Sequence, residues 1–260
     1  VLGTAEDYAV LGGSTVTNTG LTTITGSLGV SPGSAVTGFP PGLVAGGTIH
    51  AGDAAAAQAQ VDLTTAYNGL AGMPVTSNLS GQDLGGLTLP SGVYRFDVAA
   101  QLTGTLTLDA QHNNNAYWVF QIGSTLTTAT NSSVDVINLG SNDGIDDGLF
   151  WQVGSSATLG TGTAFEGNIV ALTSITLNTG ATIPNGRALA RNGAVTLDDN
   201  VISIVCANGG PGYSGGLMYG ADGTTIVPGR PLVPVPGALL LVGSGMMSLL
   251  ACGRRLFSAS

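Results

Sequence analysis

Apolar and polar residues alternate along most of this chain in runs only a few residues long, separated by glycine or asparagine. Thr23-Ile24-Thr25-Gly26-Ser27-Leu28-Gly29-Val30 is one such stretch, and Trp118-Val119-Phe120-Gln121-Ile122-Gly123 is another. Period-two runs bounded by turn formers predict short, half-buried strands. One stretch breaks the pattern. Ala56, Ala59, Leu63, Ala66 and Leu70 recur at steps of three and four, which predicts a helix over about 51–72 with a single narrow apolar stripe. Asp53 is placed to cap its start, and Gly72 with Pro74 to end it. Residues 1–50 and 84–205 are predicted to be β structure, and 207–233 a Gly/Pro-rich linker.

The second β zone repeats itself. Trp118 to Gly123 is echoed by Leu149-Phe150-Trp151-Gln152-Val153-Gly154, and Thr-Leu recurs at Thr125, Thr158, Thr176 and Thr196. The last two gaps are 18 and 20 residues, and the longer first gap holds the polar stretch from Asn138 to Gly148. A period of about 18–20 residues with three strands per repeat predicts an all-β solenoid, a β-helix of triangular cross-section. Coils would then stack at about 4.7–4.9 Å and line up equivalent residues in ladders. The helix over 51–72 is a candidate cover for one face.

Composition narrows the function. The chain has 42 glycines, 8% charged residues and a net charge of −9, and its six basic residues are all arginine: Arg95, Arg187, Arg191, Arg230, Arg254 and Arg255. No basic stripe can be assembled, so a nucleic-acid partner is excluded. Cys206 and Cys252 stand far apart, the second inside an apolar run, and no disulfide framework is legible. The chain opens at Val1, as expected of a mature secreted form. At the other end, Pro234-Val235-Pro236 precedes small and apolar residues from Gly237 to Ala251, then Arg254-Arg255. This resembles a bacterial PEP-CTERM sorting signal, with Val235 where that motif carries Glu; the other reading is a C-terminal membrane anchor. Either implies a domain over 1–206, a linker, and a segment at 234–260 for membrane or exopolysaccharide attachment outside the cytoplasm.

Motifs in order along 2–205 resemble a known family. They are Leu2-Gly3-Thr4-Ala5-Glu6-Asp7-Tyr8-Ala9-Val10-Leu11, Thr25-Gly26-Ser27-Leu28-Gly29-Val30-Ser31-Pro32 and Val36-Thr37-Gly38-Phe39. The Ala-rich helix, Phe150-Trp151-Gln152-Val153, Phe165-Glu166-Gly167 and Asn185-Gly186-Arg187-Ala188-Leu189-Ala190 complete the set. Together they are similar to the type I ice-binding (antifreeze) proteins. The resemblance implies a discontinuous right-handed β-helix with one long helix alongside. It also implies a monomer that binds an ice crystal through one flat Thr-rich face, giving thermal hysteresis and inhibition of recrystallisation, with no cofactor.

Some members of that family carry Thr–Ala/Gly–any–Thr/Asn on the ice face. With the recurring Leu as register mark, Thr128-Ala129-Thr130-Asn131 and Thr179-Gly180-Ala181-Thr182 match it fully, and Thr161-Gly162-Thr163-Ala164 departs from it at Ala164. The expected contact residues are Thr128, Asn131, Thr161, Thr179 and Thr182, with Thr130 and Thr163 ranked below them. Alternation places Phe165 and Ile183 inside, which turns Ala164 and Thr182 outward and Thr163 and Ala181 inward. Asp199 and Asn200 would end the array, and Thr17, Asn18 and Thr19 could add a rung. A second ladder at Thr125, Thr158, Thr176 and Thr196 is equally regular, and lies either under the helix or in solvent.

Catalytic chemistry is not legible. His50 and His112 are isolated, no carboxylate pair can be placed in one cleft, and no nucleophile motif stands on a strand–turn–helix. Asn142-Asp143-Gly144-Ile145-Asp146-Asp147 lacks the alternating ligands and closing Glu of a calcium loop. The alternative function is a surface adhesin or glycan-binding solenoid. That reading calls for aromatics along a groove, whereas Tyr117, Trp118, Phe120, Phe150 and Trp151 sit in core-like strands.

Overall fold

The computed structural model describes residues 1–141, 143–144, 146–204 and 213–229. After a 3-10 turn over Gly3–Asp7 come β1 (Tyr8–Gly12), β2 (Thr15–Thr19), β3 (Thr23–Thr25), β4 (Ser27–Val30), β5 (Ala35–Thr37), β6 (Leu43–Ala45) and β7 (Ile49–Ala51). Helix α1 (Ala54–Ala71) follows. The chain then winds through β8 (Ser77–Asn78), β9 (Thr88–Pro90), β10 (Gly92–Phe96), β11 (Ala100–Leu102), β12 (Thr105–Asp109), β13 (Tyr117–Ile122), β14 (Leu126–Thr128) and β15 (Ser133–Ile137). It continues with β16 (Gly148–Val153), β17 (Ala157–Leu159), β18 (Gly167–Ala171), β19 (Ile175–Leu177), β20 (Thr182–Ile183), β21 (Gly186–Ala190), β22 (Val195–Asp198) and β23 (Val201–Ser203).

These strands form the three walls of a β-solenoid. The first wall runs β7-β4-β1-β21-β18-β16-β13-β10-β8, and the second β11-β14-β17-β19-β22-β2-β5. The third is β9-β12-β15 continued by β20-β23-β3-β6, joined where Ala164 bridges Ser133 and Thr182. Strand pairing within the walls is parallel. The winding is discontinuous: β1, β2 and β3 stack on β21, β22 and β23, so the N-terminal coils extend the C-terminal end of the stack. Both β zones therefore belong to one ladder system.

Inward positions stack in register. Tyr94 pairs with Phe120, and Phe120 with Trp151. The Phe120 and Trp151 rings lie 4.0 Å apart and 8° from parallel, with Phe165 4.8 Å beyond. The two buried indoles are satisfied: Trp118 Nε1 donates to Leu89 O (3.1 Å) and Trp151 Nε1 to Glu166 O (3.0 Å).

Helix α1 covers the first wall. Asp53 caps it by accepting a hydrogen bond from the Ala56 amide (2.9 Å). Ala56, Ala59, Leu63, Ala66 and Leu70 are its buried residues. Leu63 and Leu70 share a cluster with Leu11, Val119, Phe150, Val170 and Leu189, the outward residues of the first wall. The alanines allow the helix to approach this bulky surface closely.

The linker expectation is corrected over 213–229. There a hairpin of β24 (Leu217–Tyr219) and β25 (Ile226–Pro228) packs Leu217 and Ile226 into the helix-side cluster. Tyr219 donates its hydroxyl to Val1 O (2.8 Å), and Asn168 Nδ2 donates to Tyr213 O (2.7 Å). Sparse apolar residues on alternating positions outweigh the Gly-rich composition. Residues 230–260, with the candidate sorting segment, and both cysteines lie outside the described residues.

Candidate functional site

Helix α1 packs on the first wall, which leaves the outward positions of the second wall open to solvent. Its strands are inward–outward–inward at the centre: in β17 Ala157 and Leu159 are buried and Thr158 stands out, and β19 repeats this with Ile175, Thr176 and Leu177. Register then strings the outward residues into one row, Gln101–Thr127–Thr158–Thr176–Thr196–Thr17–Thr37. Two residues earlier on each strand, a parallel row holds Thr125, Ser156, Ser174, Ala194, Thr15 and Ala35, all at least partly exposed. Neither row contains a charge. Strand spacing sets the rungs about 4.7–4.9 Å apart, and the strand repeat sets the rows roughly 6.6–6.8 Å apart. Thr17 Oγ1 reaches Thr196 Oγ1 at 3.5 Å, a weak contact that leaves both hydroxyls open to solvent.

This ladder is the one that sequence spacing left either under the helix or in solvent. It is in solvent, with one change of register: Leu126 pairs with Ala157, so Thr127 rather than Thr125 faces Thr158. The N-terminal coils carry this ladder on through Thr17 and Thr37.

The predicted contact residues do not form one surface. Thr128 is 3% exposed, and Thr163 is fully buried. Their hydroxyls meet at 2.8 Å, Thr128 Oγ1 accepts from the Gly160 amide (2.9 Å), and Thr163 Oγ1 donates to Ala129 O (3.2 Å). Thr128 is thereby corrected from surface to core. Two steps along a strand return to the same side, so counting two from an inward Leu126 lands inside. For Thr163, the lower-ranked residue, alternation already pointed inward.

Thr130, Asn131, Thr161 and Thr179 are exposed, and they sit on the corner between the second and third walls. There the chain turns through left-handed residues stacked coil on coil: Asn131 (φ 57°), Gly162 (67°), Gly180 (72°), Asp199 (50°) and Gly20 (79°). Backbone bonds link this column, as from Asn131 N to Thr161 O (2.9 Å) and from Gly162 N to Thr179 O (3.0 Å). The turn explains why Thr161 and Thr179, unlike Thr128, face solvent. Thr179 spends its hydroxyl on Asp198. Thr182 belongs to the third wall, between Ala164 and Val201.

A family model described as ice-binding-like matches residues 10–203. The chain belongs to this family. An ice-binding protein of Nostoc sp. (strain HG1) is 54% identical over 258 residues, covering 99% of this chain and 87% of the relative. A solved ice binding protein from an Antarctic biological consortium superposes with a TM-score of 0.72 at 47% identity, covering 78% of this chain and 90% of that one. The ice-binding protein of the Antarctic ascomycete Antarctomyces psychrotrophicus gives a TM-score of 0.72 at 40% identity, covering 80% and 98%.

Titratable groups in this family member are scattered. Among the described residues, no three His, Cys, Asp or Glu side chains come together, and no helix is long and apolar enough to cross a membrane. His50 contacts Asp53 Oδ2 at 2.7 Å, and His112 lies on an exposed loop beside Leu139 O. Trp118, Phe120, Phe150 and Trp151 are fully buried and line no groove. Two carboxyls on the corner between the third and first walls are perturbed. Burial pushes Asp147 up to about 6 and Glu166 up to about 7.

The Glu166 shift has a testable consequence. Its ordinary value is 4.5, so between pH 4.5 and 7 the folded chain holds a proton that the unfolded chain has released. Stability therefore falls as pH rises through that window and levels off above it. Glu166→Gln is expected to give a shallower fall in melting temperature from pH 4.5 to 7 than the unaltered protein, the remainder coming from Asp147. Parallel curves from calorimetry at several pH values would show that Glu166 has no such role.

Proposed function

We propose that this protein adsorbs to ice through the second wall, with Thr17, Thr37, Thr127, Thr158, Thr176 and Thr196 as the central contact row. The observation that carries the reading is the unbroken register of six outward threonines in a row that, like the row beside it, holds no charge. The family membership and the relatives named as ice-binding proteins support it independently. Thr130, Thr161 and Thr179, in one column at the rim of the same wall, extend the contact; Thr182 belongs to the third wall.

The physics follows from the ladder. Threonine is β-branched and stiff at χ1, so its methyl and hydroxyl are held in place before contact and little rotamer freedom is lost on binding. The hydroxyls anchor ordered water at small cost, while the methyls weaken competing hydration. Repeats of about 4.7–4.9 Å along the stack lie near the repeat of water oxygens in ice, so each rung meets an equivalent site. Single contacts are weak, but a rigid lattice makes many at once. An adsorbed protein curves the ice front between molecules, which gives thermal hysteresis and slows recrystallisation. Ice around a microbe is met outside the cell, so the protein is proposed to act there as a monomer.

A seed crystal grown in dilute protein below its melting point tests the function. Faceting with arrested growth inside a hysteresis gap is expected. A smooth disc that grows as in buffer would overturn it.

A further inference from the structure

On the first wall, beside the C-terminal end of α1, an outward ladder of polar side chains faces a cleft. Arg95 of β10 pairs with Gln121 of β13, and Gln121 with Gln152 of β16. Together with Tyr67 and Ala71 of α1 they line a cavity of about 260 Å³. This is room for several waters at ~30 Å³ each, or for one small ring compound.

The two glutamines are unusual for groups so deeply placed. Gln121 is 4% exposed and Gln152 6%. Gln121 Nε2 donates to Leu70 O (2.8 Å) and Met73 O (2.9 Å), holding the end of the helix, and its Oε1 is left buried without a partner. Among the described residues, the Gln152 amide makes no hydrogen bond, and unlike Gln121 Oε1 its polar atoms are not sealed from the cleft. Burying an amide without partners is unfavourable, so such groups ordinarily meet something that satisfies them.

We propose that this cleft binds a neutral sugar, one pyranose unit at a time. The groups open to the cleft are the amide oxygen of Gln152, which needs a donor, its NH2, which needs an acceptor, and the Arg95 Nη donors that the pairing with Asp97 leaves over. Carboxylate, sulfate and fully ionised phosphate ligands offer acceptors only and leave the Gln152 oxygen unmet. Cationic ligands find no net charge, because Arg95 is already paired with Asp97 (Nε to Oδ1, 2.8 Å). Neighbouring hydroxyls on a sugar ring donate and accept at once, which matches the two-sided edge of the Gln152 amide beside the donors of Arg95. Tyr67 adds an aromatic wall for the C–H face of the ring, and the Arg191 guanidinium, 4.6 Å from the Tyr67 ring centre, holds it in place. The cleft is on the helix-covered wall, so a sugar and the threonine face can be engaged together, independently of the ice reading.

Saturation-transfer NMR on the full chain with millimolar D-glucose, D-galactose or N-acetylglucosamine tests this. Transfer to the ring protons of at least one sugar is expected. Gln152→Leu, which removes the unpaired amide, is expected to weaken it at least tenfold while thermal hysteresis stays unchanged. Ala71→Trp fills the mouth of the cleft from an exposed helix position and is expected to abolish the transfer even if Gln152→Leu perturbs the fold. No transfer from any of the three sugars would mean Gln152 meets only water and would overturn the proposal. So would transfer that survives Ala71→Trp, or that inorganic phosphate competes away.

Discussion

Replacing Thr176 by Tyr is expected to remove most of the thermal hysteresis while leaving the circular dichroism spectrum and melting temperature of the protein unchanged. Thr176 sits mid-row, paired with Thr158 on one side and Thr196 on the other, and its side chain leaves the wall into solvent. A phenol ring there stands clear of the threonine surface and lifts several neighbouring rungs from an ice plane together. A tenfold weaker adsorption takes only ~1.4 kcal/mol, less than several lifted rungs supply. Thr182→Tyr, on the third wall, is the control and is expected to keep its hysteresis within about twofold. If both Thr176→Tyr and Thr158→Tyr retained full activity, the second wall would not be the contact face. Strong loss in Thr182→Tyr alone would move the site to the third wall.

The largest stability effect is expected from Trp151→Ala, at ~3–5 kcal/mol. The indole is fully buried, lies flat on Phe120 and borders Phe165, and its Nε1–H satisfies the Glu166 carbonyl. Its removal leaves a cavity in the middle of a stack whose neighbours are held by register and cannot close over it. It also strands a carbonyl. Against a typical total of ~5–15 kcal/mol for a domain, such a loss places a large part of the stability at one residue. The midpoint of urea unfolding reads the effect, and a change below ~1 kcal/mol would show that the aromatic stack contributes little beyond surface burial.

Much of this architecture is legible along the chain because it depends on short-range pattern. The stripe Ala56–Leu70 is a property of one helix, and its residues are those the helix buries. The two Trp/Phe-Gln motifs align as their spacing suggests, Phe120 on Trp151 and Gln121 on Gln152. Alternation placed Phe165, Ile183 and Ala181 inside and Ala164 outside correctly. The residues 217–228 were harder to read, since a few apolar side chains amid glycine gain their partners only from α1 and the first wall.

What the amino-acid sequence determined by itself is therefore the repeat: strands of period two, glycine corners, one helix, and threonine in every coil with almost no charge. Local sterics and side-chain alternation suffice for these. Which threonines share a plane was decided by tertiary structure alone. Whether Thr128 lies inside or Thr161 outside depends on where a strand gives way to a left-handed corner, and stacking against the next coil fixes that point. The same holds for Thr17 and Thr37, which join the row because the first coils dock on the last ones, an encounter between residues some 180 positions apart (Thr17 and Thr196) that no neighbouring residue specifies.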